Sequence, residues 1–191
     1  MSAEPSICDA MLSTVPSLRA FAVSLCKDID RADDLVQETL LRAWAHIDSF
    51  EPGTNIEAWL FTILRNAFHS ELRKRRREVA DSDGAHAAAL RSEPQQPSQM
   101  QFDEFRAALA QLPIEQSEAL LLVGASGFSY EETANICGCA VGTVKSRVNR
   151  ARQRLAGLLQ IESLDDFGPE AQQRAVSNRV TPSFHRYVAT Y

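Results

Sequence analysis

Along DIDRADDLVQETLLRAWAHI, apolar side chains recur at Leu35, Val36, Leu40, Ala43, Trp44 and Ile47, with Asp33, Gln37, Glu38 and Arg42 between them. Steps of three and four residues put such positions on one side of an α-helix, so the segment predicts an amphipathic helix. Asp30 is placed to cap its start, with Asp33 in the first turn, where the helix dipole favours a carboxylate. FEPGTN, holding Pro52 and Gly53, breaks the pattern and predicts a loop. From about Ile56 a longer stripe follows: Leu60, Ile63, Leu64, Ala67, Phe68 and Leu72. Away from it Arg65, His69, Arg73 and Arg76 recur at helical steps, so one face of this helix is core and another is basic.

The C-terminal half repeats the theme in shorter pieces. Phe102, Phe105, Leu109 and Leu112 form a stripe that ends at Pro113, and EQSEALLLV predicts the next helix. Gly124 and Gly127 interrupt. Ser129 with Glu132 three residues later then supplies a capping box for a short helix, YEETANI, which ends at Cys137-Gly138-Cys139. VGTVKSRVNRARQRLAGLL predicts a long final helix with Val144, Val148, Ala151, Leu155 and Leu158 as its core stripe. A short helix, a tight turn with a central Gly and a second helix rich in Lys, Ser, Asn and Arg is the helix-turn-helix pattern. Ala134 is small where the two helices cross, Gly138 permits the turn, and Val144 anchors the second helix on the first.

Between the halves, EVADSDGAHAAALRSEPQQPSQ has little apolar periodicity and reads as a flexible linker, although its Ala-rich centre could form a short helix. The expected organisation is all-α: two small helical domains at 10–77 and 101–161, joined by a linker at 78–100 and followed by a tail at 162–191. The tail carries Pro182, Phe184, Tyr187 and Tyr191, which could fold onto a partner, with disorder as the default reading.

Charge decides what the basic faces are for. The chain has 191 residues, 45% apolar and 24% charged, as in a soluble globular protein, and a net charge of −5. That sum hides two blocks of +5: residues 61–77, with six basic groups and one acid, and residues 140–161, with five basic groups and no acid. Basic runs are commonly solvated faces, but an acid-free second helix of a helix-turn-helix suits a major groove, where Lys and Arg bond guanine and Asn pairs with adenine. No apolar run is long enough to span a bilayer and the N-terminus lacks the blocks of a signal peptide, so the expected location is cytoplasmic, with no membrane partner. Cys8, Cys26, Cys137 and Cys139 read as reduced thiols. The Cys137-x-Cys139 pair lacks further ligands for a tetrahedral metal and reads as small apolar filling of the turn. No nucleophile–base constellation and no Gly-rich phosphate loop is present, so no enzymatic activity, cofactor or small-molecule substrate is expected.

DRADDLVQETLLRAW, then AWLFTILRNAFHSELRKRRR, then a variable linker, then LPIEQSEALLLVGASGFSYEETANICGCAVGTVKSRVNRARQRL resemble regions 2 and 4 of an extracytoplasmic-function (group 4) RNA polymerase sigma factor. The last block is similar in particular to the branch that drives the general stress response of alphaproteobacteria. The resemblance implies partners: core RNA polymerase, through the clamp coiled coil of its largest subunit; promoter DNA; and an anti-sigma factor wedged between the two domains. It implies that Asp33, Asp34, Gln37, Glu38, Leu41 and Trp44 dock on the clamp. Asn66 and the loop holding Thr54 and Asn55 match the parts that capture a flipped base of the −10 element, with Arg65, His69, Arg73, Lys74, Arg75, Arg76 and Arg77 beside them for the phosphates. Trp59 is read as a core aromatic rather than a stacking platform for a base. Thr143, Lys145, Ser146, Asn149 and Arg150 match the positions that read the −35 element, with Arg147, Arg152 and Arg154 as phosphate contacts or surface charge. Two rivals stand beside this reading. One is a sigma-mimic module that sequesters an anti-sigma factor without binding DNA, which would need no basic reading helices. The other is a self-sufficient helix-turn-helix repressor, for which the −10 block would be purposeless.

Overall fold

The computed structural model describes residues 7–81 and 104–160, the side chains of 78–81 excepted. Among the described residues every regular element is helical. The first unit holds α1 (Ile7–Cys26), α2 (Ile29–Ala45), a 3₁₀ turn at Ile47–Ser49 and α3 (Ile56–Asp81). The second holds a short helix at 104–109 (α4), α5 (Ile114–Gly124), α6 (Tyr130–Cys137) and α7 (Val141–Leu159). The all-α, two-unit expectation holds. The first four residues expected in the linker, 78–81, instead continue α3, and the rest of that linker, Phe102 and the tail lie outside the described residues.

Each unit packs around the stripe its sequence lays down. In the first, α1 contributes Leu18, Phe21, Ala22 and Leu25 to a core closed by Leu35, Val36 and Ala43 of α2 and Leu60, Phe61, Leu64 and Phe68 of α3. Asp28, not Asp30, caps α2, its carboxylate accepting from Arg31 N at 3.0 Å; Asp30 falls in the first turn. Trp44 departs from the predicted stripe and stands 62% exposed, because Ala43 beside it takes the inward position. Asn55 starts α3, its Oδ1 accepting from the backbone of Glu57 and Ala58. Trp59 is partly buried with its ring on Phe50, 5.4 Å between centroids, which leaves it a packing aromatic.

In the second unit Ala134 of α6 and Val144, Val148, Ala151 and Leu155 of α7 are buried together with Leu109, Leu112 and Leu120. Leu158 leaves that stripe and is 38% exposed near the end of α7. The capping box forms: Ser129 Oγ accepts from Glu132 N at 3.1 Å, and Glu132 Oε2 accepts from Ser129 N at 2.9 Å. The bond from the Ser129 N–H, and after it one from the Asn55 side chain, hold the Glu132 carboxyl below its ordinary value. Gly138 ends α6 in the left-handed region at φ 63°, ψ 41°. A Cβ there would meet nothing within 4 Å, so the only cost of Gly138→Ala is conformational. We expect a loss of about 1 kcal/mol in unfolding free energy, read by chemical denaturation.

The two units are packed on one another. Leu122, Phe128, Ile136 and Cys137 of the second join the core of the first, and Phe128 meets Phe61 edge-on at 5.0 Å between centroids. Leu121 and Cys139 touch both cores. Polar contacts surround that seam: Lys27 Nζ donates to Ala110 O at 2.7 Å, and Asn55 Nδ2 to Glu132 Oε1 at 2.8 Å.

Candidate nucleic-acid interface

Three surfaces carry the residues that the sequence singles out. On α7 the buried stripe fixes the outward face. Thr143, Lys145, Asn149 and Arg150 are exposed on it and Ser146 is half-buried. The α7 N-terminus has no side-chain cap, since Ala140 precedes it, and the Thr143 N–H bonds back to the Ala140 carbonyl at 2.9 Å. Two cations turn back toward the protein: Lys145 Nζ lies 5.6 Å from the centre of the Tyr130 ring, and Arg147 Nη1 points at Cys139 Sγ at 3.7 Å. Arg152 is half-buried at the flank and Arg154 is exposed. With its core side anchored on α5 and α6 and no acidic group along its length, this helix is shaped and charged to enter a major groove.

The second surface is the outer side of α3 with the loop before it. Asn66 is exposed, as are Arg73, Lys74, Arg75, Arg76 and Arg77. Arg75 pairs with Glu71 at 2.8 Å, Arg73 donates to Ser70 Oγ at 2.9 Å, and Arg77 Nε reaches the Arg73 carbonyl at 3.3 Å. Thr54 and Asn55 are exposed, with Thr54 Oγ1 donating to the Glu51 carbonyl at 2.7 Å. Gly53 makes this loop at φ 90°. Arg65 and His69 are placed otherwise. Both turn onto Glu118 of α5, a carboxylate with no exposed surface: Arg65 Nε donates to Oε2 at 3.1 Å and His69 Nε2 lies 2.5 Å from Oε1. A small cleft of about 70 Å³ lined by His69, Leu72, Arg73, Arg76, Ile114 and Glu115 runs along the same seam. Sequence reading missed Glu118. The signal was there, since EQSEALLLV offers no polar face, and a helix buried nearly all round must be covered on both sides.

The third surface is the outer face of α2. Leu41 and Trp44 are 71% and 62% exposed, flanked by exposed Asp34, Gln37 and Glu38. Glu38 pairs with Arg42 at 2.5 Å. Asp33 is gripped by Arg19 at 2.6 and 3.1 Å, and the guanidinium, by hydrogen bond first and charge second, holds its carboxyl below the ordinary range. Two large exposed apolar side chains framed by acids are costly for an isolated helix and suit a basic partner with an apolar seam.

Cys26 and Cys137 stay out of these surfaces. Burial pushes Cys26 and Cys137 up to about 11, so both remain protonated at neutral pH. Among the described residues no group of three His, Cys, Asp or Glu side chains could hold a metal ion, and no helix is long and apolar enough to cross a membrane.

Residues 11–78 match the Sigma-70 region 2 family, and residues 102–155 match Sigma-70 region 4. The ECF RNA polymerase sigma factor EcfG of Rhodopseudomonas palustris is 65% identical over 171 residues, which are 90% of this chain and 94% of that protein. The chain belongs to the ECF RNA polymerase sigma factors. The ECF sigma factor SigM of Bacillus subtilis is 36% identical over 140 residues, 72% of this sigma factor and 85% of its relative. Among solved structures, the sigma factor RpoE of Bartonella quintana, crystallised with the anti-sigma factor NepR, is similar at a TM-score of 0.73 and 55% identity, over 80% of this sigma factor and 95% of that chain. A sigma factor binds core RNA polymerase and promoter DNA, and the three surfaces described are of the kinds those two partners require.

Proposed function

We propose that this sigma factor divides its work among those three surfaces. The outer face of α2, through Asp33, Asp34, Gln37, Glu38, Leu41 and Trp44, docks on the clamp coiled coil of the largest polymerase subunit. The domain spanning 10–77 captures the −10 element, with Asn66 and the Thr54-Asn55 loop taking a base flipped out of the non-template strand. Arg65, His69, Arg73, Lys74, Arg75, Arg76 and Arg77 hold the phosphates around it. The domain spanning 101–161 reads the −35 element through Thr143, Lys145, Ser146, Asn149 and Arg150, with Arg147 and Arg152 at the backbone. The segment after α3, 82–100, spans the polymerase between the two. The protein carries no catalytic chemistry of its own and works where the polymerase works, in the cell interior. Its promoters are those of stress-response genes, on the resemblance of 121–152 to the general-stress branch.

An anti-sigma factor holds it off. That reading is supported by the Bartonella RpoE, which at 55% identity is found with NepR. The single observation that carries the DNA assignment is the outward face of α7, where Thr143, Lys145, Asn149 and Arg150 stand exposed opposite a fully buried stripe.

Asn66→Ala provides the test of the −10 half. Asn66 is exposed on α3, so the substitution leaves the fold intact. Taking a base out of the stack costs a few kcal/mol that a reading pocket repays. The variant is expected to open a duplex promoter about tenfold more slowly, followed by permanganate reactivity of the melted strand, and to recover near-wild-type transcription on a template already melted over the −10 element. Equal impairment on both templates would remove Asn66 from strand capture.

A further inference from the structure

Arg65 and His69 lie on the basic side of α3, yet both are turned onto one acid of the other unit. Glu118 has no exposed surface, and each of its oxygens faces a different nitrogen: Arg65 Nε at 3.1 Å and His69 Nε2 at 2.5 Å. A buried carboxylate persists where its partners repay the loss of water, and both of these partners belong to α3. Closure of the two units is therefore what makes Glu118 tolerable in the interior. Its two anionic oxygens also meet α3 as the oxygens of a phosphate would, through charge-assisted bonds from a guanidinium and an imidazole.

We infer that Glu118 is an intramolecular latch: it holds the C-terminal unit closed on α3 and, by occupying Arg65 and His69, withholds them from the −10 strand until the units separate. The inference rests on the assignment of those two residues to that strand. The two uses compete, since in the closed seam Arg65 and His69 are turned onto Glu118 and only 15% and 22% of their side chains remain exposed. The seam around the latch is apolar at its centre, where Leu122, Phe128, Ile136 and Cys137 meet the core of the first unit. Phe128 caps Phe61, while Lys27–Ala110 and Asn55–Glu132 tie its exposed margins with single hydrogen bonds. Opening returns Glu118 and Arg65 to water, where each is well solvated.

A latch of this kind couples shape to affinity, because the apparent affinity for DNA falls with the fraction of open molecules. The test uses the full chain as Glu118→Gln, which keeps size and removes charge, and as Lys27→Met, which removes a margin bond without touching Glu118 or any residue assigned to DNA. Circular dichroism checks that helix content is unchanged. Small-angle X-ray scattering then reads the separation of the units. Fluorescence anisotropy with a labelled single-stranded oligonucleotide carrying a −10 non-template sequence reads affinity.

Glu118→Gln is expected to give a larger radius of gyration and about five- to tenfold tighter single-strand binding, with Lys27→Met moving both in the same direction by less. Unchanged scattering and affinity in both variants would overturn the latch. So would opening without a gain in affinity. In that last case Arg65→Ala in the opened variant separates the two claims: a further loss of affinity keeps Arg65 on the −10 strand and removes only the latch, whereas no loss removes the −10 assignment as well.

Discussion

Replacing Leu41 and Trp44 together by alanine is expected to weaken binding to core RNA polymerase by about a hundredfold or more while leaving the melting temperature of the free protein nearly unchanged. The two halves of that expectation come from the same observation. At 71% and 62% exposure these side chains contribute little to the core of the first unit, so their truncation opens no cavity. In a complex the same exposure becomes contact. Large apolar and aromatic side chains at the centre of an interface commonly cost about 2 kcal/mol or more each when removed, and 1.4 kcal/mol is a factor of ten. Neutralising the flanking acids, as in Asp34→Asn with Glu38→Gln, should act mainly on the association rate and its salt dependence, because rim charges steer rather than anchor. Titration of core polymerase with labelled protein, beside a thermal melt, checks both. A fall in melting temperature that accompanies the loss of binding would mean that the pair is structural.

Lys145→Ala with Arg150→Ala is expected to lower affinity for a −35 duplex by about 30- to 100-fold, since each well-placed base contact is worth about 1–3 kcal/mol and two such contacts do not add fully. Both residues are exposed, and their removal leaves Val144, Val148, Ala151 and Leu155 in place. Part of the Lys145 loss is offset in the free protein, where its ammonium lies 5.6 Å over the Tyr130 ring and must leave that ring to reach a base. Arg154→Ala is the control: a charge assigned to phosphate or open surface should weaken binding to all duplexes alike and flatten its salt dependence by about one counterion. The double variant should instead lose its preference for the −35 sequence over a scrambled one. A uniform loss from the double variant would reassign Lys145 and Arg150 to the backbone.

How much of this was legible in the sequence depends on whether a residue's role is set within its own helix. The α7 stripe from Val144 to Leu155, the Ser129–Glu132 capping box and the Gly138 turn follow from local spacing, and the structure has them in those places. The amphipathic reading of α2 failed at Trp44 because alanine and tryptophan both count as apolar in a periodic pattern, and only the neighbouring helices decide that the small Ala43 packs inward. Asp28 rather than Asp30 caps α2 because the chain leaves α1 through Lys27 in the left-handed region, which starts the new helix earlier. The seam between the units was the least legible part. Phe128 lies in the turn between α5 and α6, Ile136 and Glu118 lie on helices that also pack within the second unit, and no pattern within one segment says that two segments 50 to 70 positions apart face one another. Only the unbroken apolar run from Ala119 to Val123 in α5 hinted at it. As for the site, Gln37, Glu38, Thr143, Lys145, Asn149 and Arg150 stand outward, off the apolar stripes, whereas Arg65 and His69 are shared with an acid that periodicity could not locate.

The net charge of −5 also takes on meaning in this geometry. The two +5 helices sit in different units, and one of them is partly neutralised by an acid from the other unit. Free protein should therefore hold DNA weakly at physiological salt, and polymerase must supply the arrangement in which both helices reach one promoter. Run-off transcription with purified core polymerase tests this most directly, on a stress-type promoter and on versions with the −10 or the −35 element scrambled. The account predicts a transcript of defined length that requires the protein, the core enzyme and both elements. No promoter-specific transcript, or one indifferent to which elements are present, would contradict it.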